Sequence, residues 1–295
     1  MTAMVSKPLS KIGVILEMIK FEHTLFALPF ALTSAMLAAN GMPELRVLGW
    51  ILVAMVAARS AAMAFNRIAD LHYDRLNPRT ANRALPAGIL SAAQVSLFTM
   101  VSALVFMFAA WNLNKLALTL SPVALVVILG YSFTNRFTNL SHLVLGLSLG
   151  IAPVGAWIAV KGQFDLAPII LSAAVMFWTA GFDIIYALQD LDFDRKMGLF
   201  SIPKALGPKK GLLVSRAFHA MTAVLLGIFG LVMGLGVVYF VGLALVAIAL
   251  AYEQSLVKPN DFSKANVAFF TANGFVSIGF FVFSLADLLV RKSVL

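Results

Sequence analysis

The stretch VLGWILVAMVAARSAAMAF, residues 47–65, runs directly into NRIADLHYD, residues 66–74, and together they decide how the chain is to be read. The first piece holds a single charge, Arg59, in 19 residues. That is close to the roughly 20 apolar residues a helix needs to cross the hydrocarbon of a bilayer. The second piece spaces Asn66, Asp70 and Asp74 by four residues. On a helix continued from the span, all three face one way. Arg59, seven residues before Asn66, then lies two turns, or about 10 Å, deeper along that helix. An arginine at that depth is costly unless it meets a partner or a cavity, so it marks a functional site by default.

The rest of the chain follows the same pattern. It is 61% hydrophobic and 12% charged over 295 residues, with a mean hydropathy of +0.94. Such a composition excludes a soluble globule and makes the bilayer the solvent. Apolar windows place nine helical spans near 24–41, 47–65, 90–111, 116–131, 143–160, 167–186, 211–231, 235–252 and 265–290. The expectation is an all-α polytopic bundle forming one domain over 1–295, its first span retained rather than cleaved as a signal peptide. There is no cysteine, so a thiolate nucleophile and cysteine-ligated metal are excluded. The formal charge of +9 sits at span ends without a basic stripe, which argues against nucleic acid. With the N-terminus placed inside, sixteen basic residues fall on the cytoplasmic side and five outside, which predicts a cytoplasmic N-terminus. Both polar stretches, 66–83 and 190–210, then face the cytoplasm.

The second acidic signal is DIIYALQDLDFDRKMG, residues 183–198, which runs from the sixth span into the second of these stretches. Asp183, Tyr186, Asp190 and Asp194 stand at i, i+3, i+7 and i+11, one helical face, with Asp192 pointing elsewhere. The sets Asn66, Asp70, Asp74 and Tyr186, Asp190, Asp194 are offset by 120 residues, which suggests an old duplication. Two carboxylate faces at one membrane surface repel unless cations lie between them. Hard Mg²⁺ suits carboxylate and amide oxygens and commonly shares its shell with substrate phosphates, so a diphosphate is the natural third party. Plainer readings stand beside these. Acids at four-residue spacing also occur at solvated helix ends, Arg59 is placed to pair with Asp183, and Arg79 and Arg83 satisfy positive-inside charge as well as phosphate binding. His23, His72, His142 and His219 show no ligand spacing and read as interfacial. An ion-coupled transporter is the competing class, although its coupling acids belong near mid-bilayer rather than at one face.

The chain resembles the UbiA-type intramembrane prenyltransferases. The likeness rests on ARSAAMAFNRIADLHYD at 58–74, RTANRALPAG at 79–88, YSFTNRFT at 131–138 and the acidic motif at 183–198. Arg67 departs from the family pattern NDxxDxxxD at its second position. The opening IKFEHTLFALPFA at 19–31 resembles both the branch acting on 4-hydroxybenzoate in ubiquinone biosynthesis and enzymes prenylating a naphthoate-type acid in futalosine-route menaquinone biosynthesis. The resemblance implies a nine-helix bundle around a central cavity open to lipid, in a prokaryotic-type inner membrane. It implies two Mg²⁺ ions held by Asn66, Asp70, Asp74, Asp190 and Asp194 and bridging a polyprenyl diphosphate. On this reading Asp70 and Asp190 are catalytic through the metal, and Lys20, Arg67, Arg79, Arg83 and Arg136 neutralise phosphate oxygens. Arg59 holds the carboxylate of an aromatic acid acceptor, Tyr186 orients it or steadies a cation, and Asp183 lies just below.

Overall fold

The structure, a computed structural model, describes residues 11–19 and 24–294, and helix is its regular element throughout. Hydrocarbon offers no water to backbone N–H and C=O groups, and a helix satisfies them within itself. A short α1 (Lys11–Met18) precedes α2 (Thr24–Ala38) and α3 (Leu45–Ala69). After α3 come α4 (Leu71–Leu76), α5 (Ala92–Leu113), α6 (Lys115–Gly130) and a 3₁₀ segment at Tyr131–Arg136. The second half holds α7 (Ser141–Lys161), α8 (Leu166–Ala187), α9 (Leu191–Met197), α10 (Ile202–Leu206), α11 (Pro208–Val232) and α12 (Val237–Leu256). A single turn α13 (Ala265–Val267) leads through a π turn at Ala268–Ala272 into α14 (Asn273–Val294).

Among the described residues eight helical stretches are long and apolar enough to span a membrane, and a shorter apolar helix lies at Phe26–Ala38. The spans read from hydropathy fall on these helices within a few residues. The ninth is the exception in form, because the expected single helix over 265–290 is interrupted by the π turn. Its cause is visible at Asn273, whose amide donates to Phe269 O at 3.0 Å and to Glu253 Oε1 at 3.2 Å, while Trp178 Nε1 donates to Asn273 Oδ1 at 2.7 Å. Carbonyls released from the α-ladder thus find a side-chain donor, which is how such turns persist.

The bundle has a filled half and a hollow half. Helices α2, α8, α11, α12 and α14 close around Phe26, Phe30, Trp178, Phe182, Phe229, Tyr239 and Phe280. The rings of Phe30 and Trp178 are 5.1 Å apart, and those of Phe30 and Phe280 4.8 Å. On the other side α3, α5, α6 and α7 surround a cavity of about 470 Å³. Ala54, Ala58 and Ala62 present small side chains to it from α3, so the space exists because the facing residues are short.

Helices α7 and α8 join the two halves along a seam of Gly146 and Gly150. A Cβ at Gly146 would overlap the Met176 carbonyl, and one at Gly150 would lie 2.8 Å from Ser172 O. Between helices in lipid such close approach replaces the hydrophobic drive that water would supply. Gly146→Val should therefore destabilise the fold by about 1–3 kcal/mol through forced separation of α7 and α8. A fall in the thermal midpoint of the detergent-solubilised protein checks this.

Candidate active site

Both acidic motifs break their helices at the middle aspartate, and in nearly the same way. Asp70 closes α3 and opens α4 with φ −92° and ψ 5°. Asp190 ends the 3₁₀ turn after α8 and opens α9 with φ −102° and ψ 5°. This bridge region of backbone space is sparsely used and recurs at active sites. The continuous helical face expected for Asn66, Asp70 and Asp74 is therefore corrected to two helices meeting at Asp70. The same holds for Asp183 through Asp194, which are carried on two helices either side of Asp190. The matched breaks fit the 120-residue offset in the sequence.

The segment between α4 and α5 brings the motifs together. Its far end is pinned by Ser91 at the start of α5, whose hydroxyl accepts from Gln94 N at 3.2 Å while the Gln94 side chain accepts from Ser91 N at 2.9 Å. Arg79 Nε donates to Asp190 Oδ1 at 2.9 Å, and its Nη2 reaches Asp190 Oδ2, a bidentate pair. Arg79 Nη1 also donates to the Tyr186 hydroxyl at 2.9 Å, and Asn77 Nδ2 donates to Asp190 Oδ1 at 3.1 Å. Arg83 pairs with Asp74 at 2.8 Å, and Arg67 meets the same carboxylate at 3.4 Å. Asp74 and Arg67 are sealed, with side chains 9% and 10% exposed.

From the 3₁₀ segment, Arg136 lies 3.4 Å from Asp70 Oδ1 and donates to Ala69 O at the end of α3. Asn66 Nδ2 donates to Asp70 Oδ2 at 2.8 Å. Asp194 accepts from Ser201 Oγ at 3.1 Å. Burial, reinforced by the neighbouring Asp74, holds the Asp70 carboxyl above the usual carboxylate range. Burial opposes the charge of Arg79, but its bonds to Asp190 outweigh that and hold the guanidinium above its ordinary value. Burial, with Arg67 nearby, lowers Arg83.

The structure thus gathers Asn66, Asp70, Asp74, Asp190, Asp194, Arg67, Arg79, Arg83, Arg136 and Tyr186 at one end of the bundle. Lys20 lies outside the described residues. Among the described residues no three acids or histidines converge as a preassembled metal cage. The arginines lie between the acids and supply the positive charge there. The donors are carboxylates and one amide, a hard-oxygen set that fits Mg²⁺, which completes its shell with water and substrate phosphate.

Arg59 and Asp183 lie apart from this collar. Asp183 is not paired with Arg59; its Oδ2 is 2.7 Å from His142 Nδ1. His142 and His219 are buried among the helices, which corrects the interfacial reading for both, while His72 is exposed on α4. Arg59 lines the hollow, and its Nε has no hydrogen-bond partner among the described residues. Tyr186 is engaged by Arg79 and does not line that hollow, so the expected closeness of Tyr186 to Arg59 is replaced by Tyr131, which shares the cavity wall. Tyr131 lies within electrostatic reach of Arg59, Arg67, Asp70 and Asp183. It opens the YSFTNRFT stretch, and that position was the available signal for it.

A family model described as the UbiA prenyltransferase family matches residues 27–279. A 4-hydroxybenzoate octaprenyltransferase of Tolumonas auensis is 33% identical over 235 residues, 80% of this chain and 82% of that protein. One from Vibrio cholerae is 32% identical over 242 residues, 82% and 85% respectively. Among solved structures, an apo UbiA homolog from Aeropyrum pernix superposes with a TM-score of 0.79 at 35% identity, over 92% of this chain and 98% of that one. A UbiA homolog from Archaeoglobus fulgidus bound to DMAPP and Mg²⁺ gives 0.74 at 21% identity, over 94% and 99%, a likeness of fold.

Proposed function

The chain belongs to the UbiA prenyltransferase family, and we propose that it transfers a polyprenyl group from polyprenyl diphosphate to a ring carbon of a carboxylated aromatic acceptor, 4-hydroxybenzoate in the first instance. The observation that carries the acceptor class is Arg59: a guanidinium facing an apolar cavity, one of its nitrogens without a partner among the described residues, some two helical turns from the acidic collar. A carboxylate on the acceptor satisfies that group in a setting where few other anions fit.

Asn66, Asp70, Asp74, Asp190 and Asp194 would hold Mg²⁺, which when bound supplies Lewis acidity toward the diphosphate. Arg67, Arg79, Arg83 and Arg136 exchange their carboxylate partners for phosphate oxygens, stabilising the charge that gathers as the allylic C–O bond breaks. Arg59 holds the acceptor so that its electron-rich carbon lies against the prenyl terminus. The apolar lining of the hollow excludes water that would otherwise trap the allylic cation as an alcohol. The prenyl tail shares that apolar space and continues into lipid. Basic residues gather on the connections at this end, which supports a cytoplasmic site in a bacterial inner membrane and a cytoplasmic N-terminus. The whole chain acts as one catalytic domain.

Purified protein in lipid, given Mg²⁺, a polyprenyl diphosphate and either 4-hydroxybenzoate or a naphthoate acid, should release diphosphate only with the correct acid. Release with the naphthoate alone would move the assignment to menaquinone biosynthesis. Cation-dependent flux through proteoliposomes without diphosphate release would make the protein a transporter.

A further inference from the structure

Prenylation of a ring carbon leaves a proton to be removed. We infer that Asp183 receives that proton and that His142 is the positioning residue that aims it, an inference that rests on the prenyl-transfer reading above. Ile202 N donates to His142 Nε2 at 3.3 Å. Only a ring nitrogen without a proton accepts such a bond, so the imidazole is neutral with its hydrogen on Nδ1. That hydrogen points at Asp183 Oδ2, 2.7 Å away. The backbone amide at the start of α10 therefore sets the tautomer, and the tautomer sets the orientation of the carboxylate.

The neighbouring acids are engaged differently. Asp70, Asp74 and Asp190 each meet an arginine, and Asp194 takes the Ser201 hydroxyl. Asp183 instead meets a neutral imidazole through Oδ2. The pair is also lopsided in access: the His142 side chain is 4% exposed and that of Asp183 22%, so the acid alone has an open side. Asp183 lies within electrostatic reach of Tyr131, which shares the cavity wall with Arg59. On the proposed reading, an acceptor held by its carboxylate on Arg59 would direct its ring along the wall that Tyr131 forms.

The step balances simply. The ring carbon forms its bond to C1 of the prenyl group as diphosphate leaves. The C–H bond at that carbon then breaks, its electron pair returns to the ring, and the proton goes to the free oxygen of Asp183. His142 keeps its Nδ1–H on the other oxygen throughout. After product departs, the proton passes to water.

Steady-state turnover with acceptor deuterated at the alkylated carbon tests this in the full-length protein in lipid. The unaltered protein should show no isotope effect, because ionisation precedes proton loss and limits the rate. In His142→Leu, kcat should fall about 10-fold to 100-fold, as for loss of a group that orients a catalytic partner. KM for both substrates should hold, and a primary isotope effect above about 2 should appear, since C–H cleavage becomes limiting. His142→Asn, which returns an N–H donor near the Nδ1 position, should recover most of the rate and suppress the effect. Asp183→Asn, equal in size and unable to take the proton, should show the same unmasked effect or no turnover. A slow His142→Leu with no isotope effect, or an Asp183→Asn of normal rate, overturns the assignment. Absence of prenylated product from the unaltered protein would instead overturn the reading of the reaction.

Discussion

Asp190→Ala should lower kcat by about three orders of magnitude, at the upper end of what a single stabilising group in a water-poor site contributes. The carboxylate does two jobs on the proposed reading. It would hold Mg²⁺ against the diphosphate, and before substrate arrives it anchors Arg79 and Asn77, and through them the segment leading to α5. Removing it leaves Arg79 with only the Tyr186 hydroxyl, so the arginine is no longer placed for phosphate. Both losses fall on leaving-group departure, and diphosphate release should fall in parallel with product formation. Asp192→Ala is the control. Its side chain is 90% exposed and, among the described residues, pairs only with Arg195 at 3.5 Å, so turnover should be unchanged. Equal loss in both variants would mean that general charge at this surface, rather than the Asp190 position, matters.

Arg59→Ala should raise the KM for the acceptor by on the order of 100-fold, the scale of losing a charged hydrogen-bonded partner in a desolvated site. The KM for polyprenyl diphosphate should hold, because Arg59 lies deeper than the collar that would meet phosphate. Stability should move the other way. A charge with an unpartnered nitrogen in an apolar wall costs folding free energy, so its removal leaves the thermal midpoint unchanged or higher. A variant that is at least as stable yet fails to bind acceptor separates recognition from architecture. An acceptor KM that did not change would remove Arg59 from the site.

The spans were legible because each is a one-dimensional quantity, a window of about 20 apolar residues, and lipid forces such a window into a helix. That Asn66, Asp70, Asp74, Asp190 and Asp194 would gather at one end of the bundle was largely legible too, since they carry a spacing that composition alone rarely produces. Their geometry was not. Four-residue spacing assumes an unbroken helix, and nothing in NRIADLHYD announces that the backbone turns at Asp70. The pairings were hidden for a different reason. Arg79 and Asp190 are 111 residues apart, and His142 and Asp183 are 41 apart, so their meeting is a property of packing. His142 sits in no motif of acids or histidines and is identified only by what lies opposite. The π turn before Asn273 likewise depends on Glu253 and Trp178 from other helices.

The division of the bundle into a filled side and a hollow side has a consequence for how the protein can change over generations. Around Trp178, Phe30 and Phe280, nearly any substitution either opens a void or forces rings apart, and selection for a folded protein removes it. Around Ala54, Ala58 and Ala62, a larger residue enters space that no side chain uses, and the fold tolerates it. Variation can therefore collect on the wall that, on the proposed reading, would meet the ligands while the opposite wall holds still. A lineage can in this way try new acceptors or shorter chains without first having to rebuild the protein that carries them.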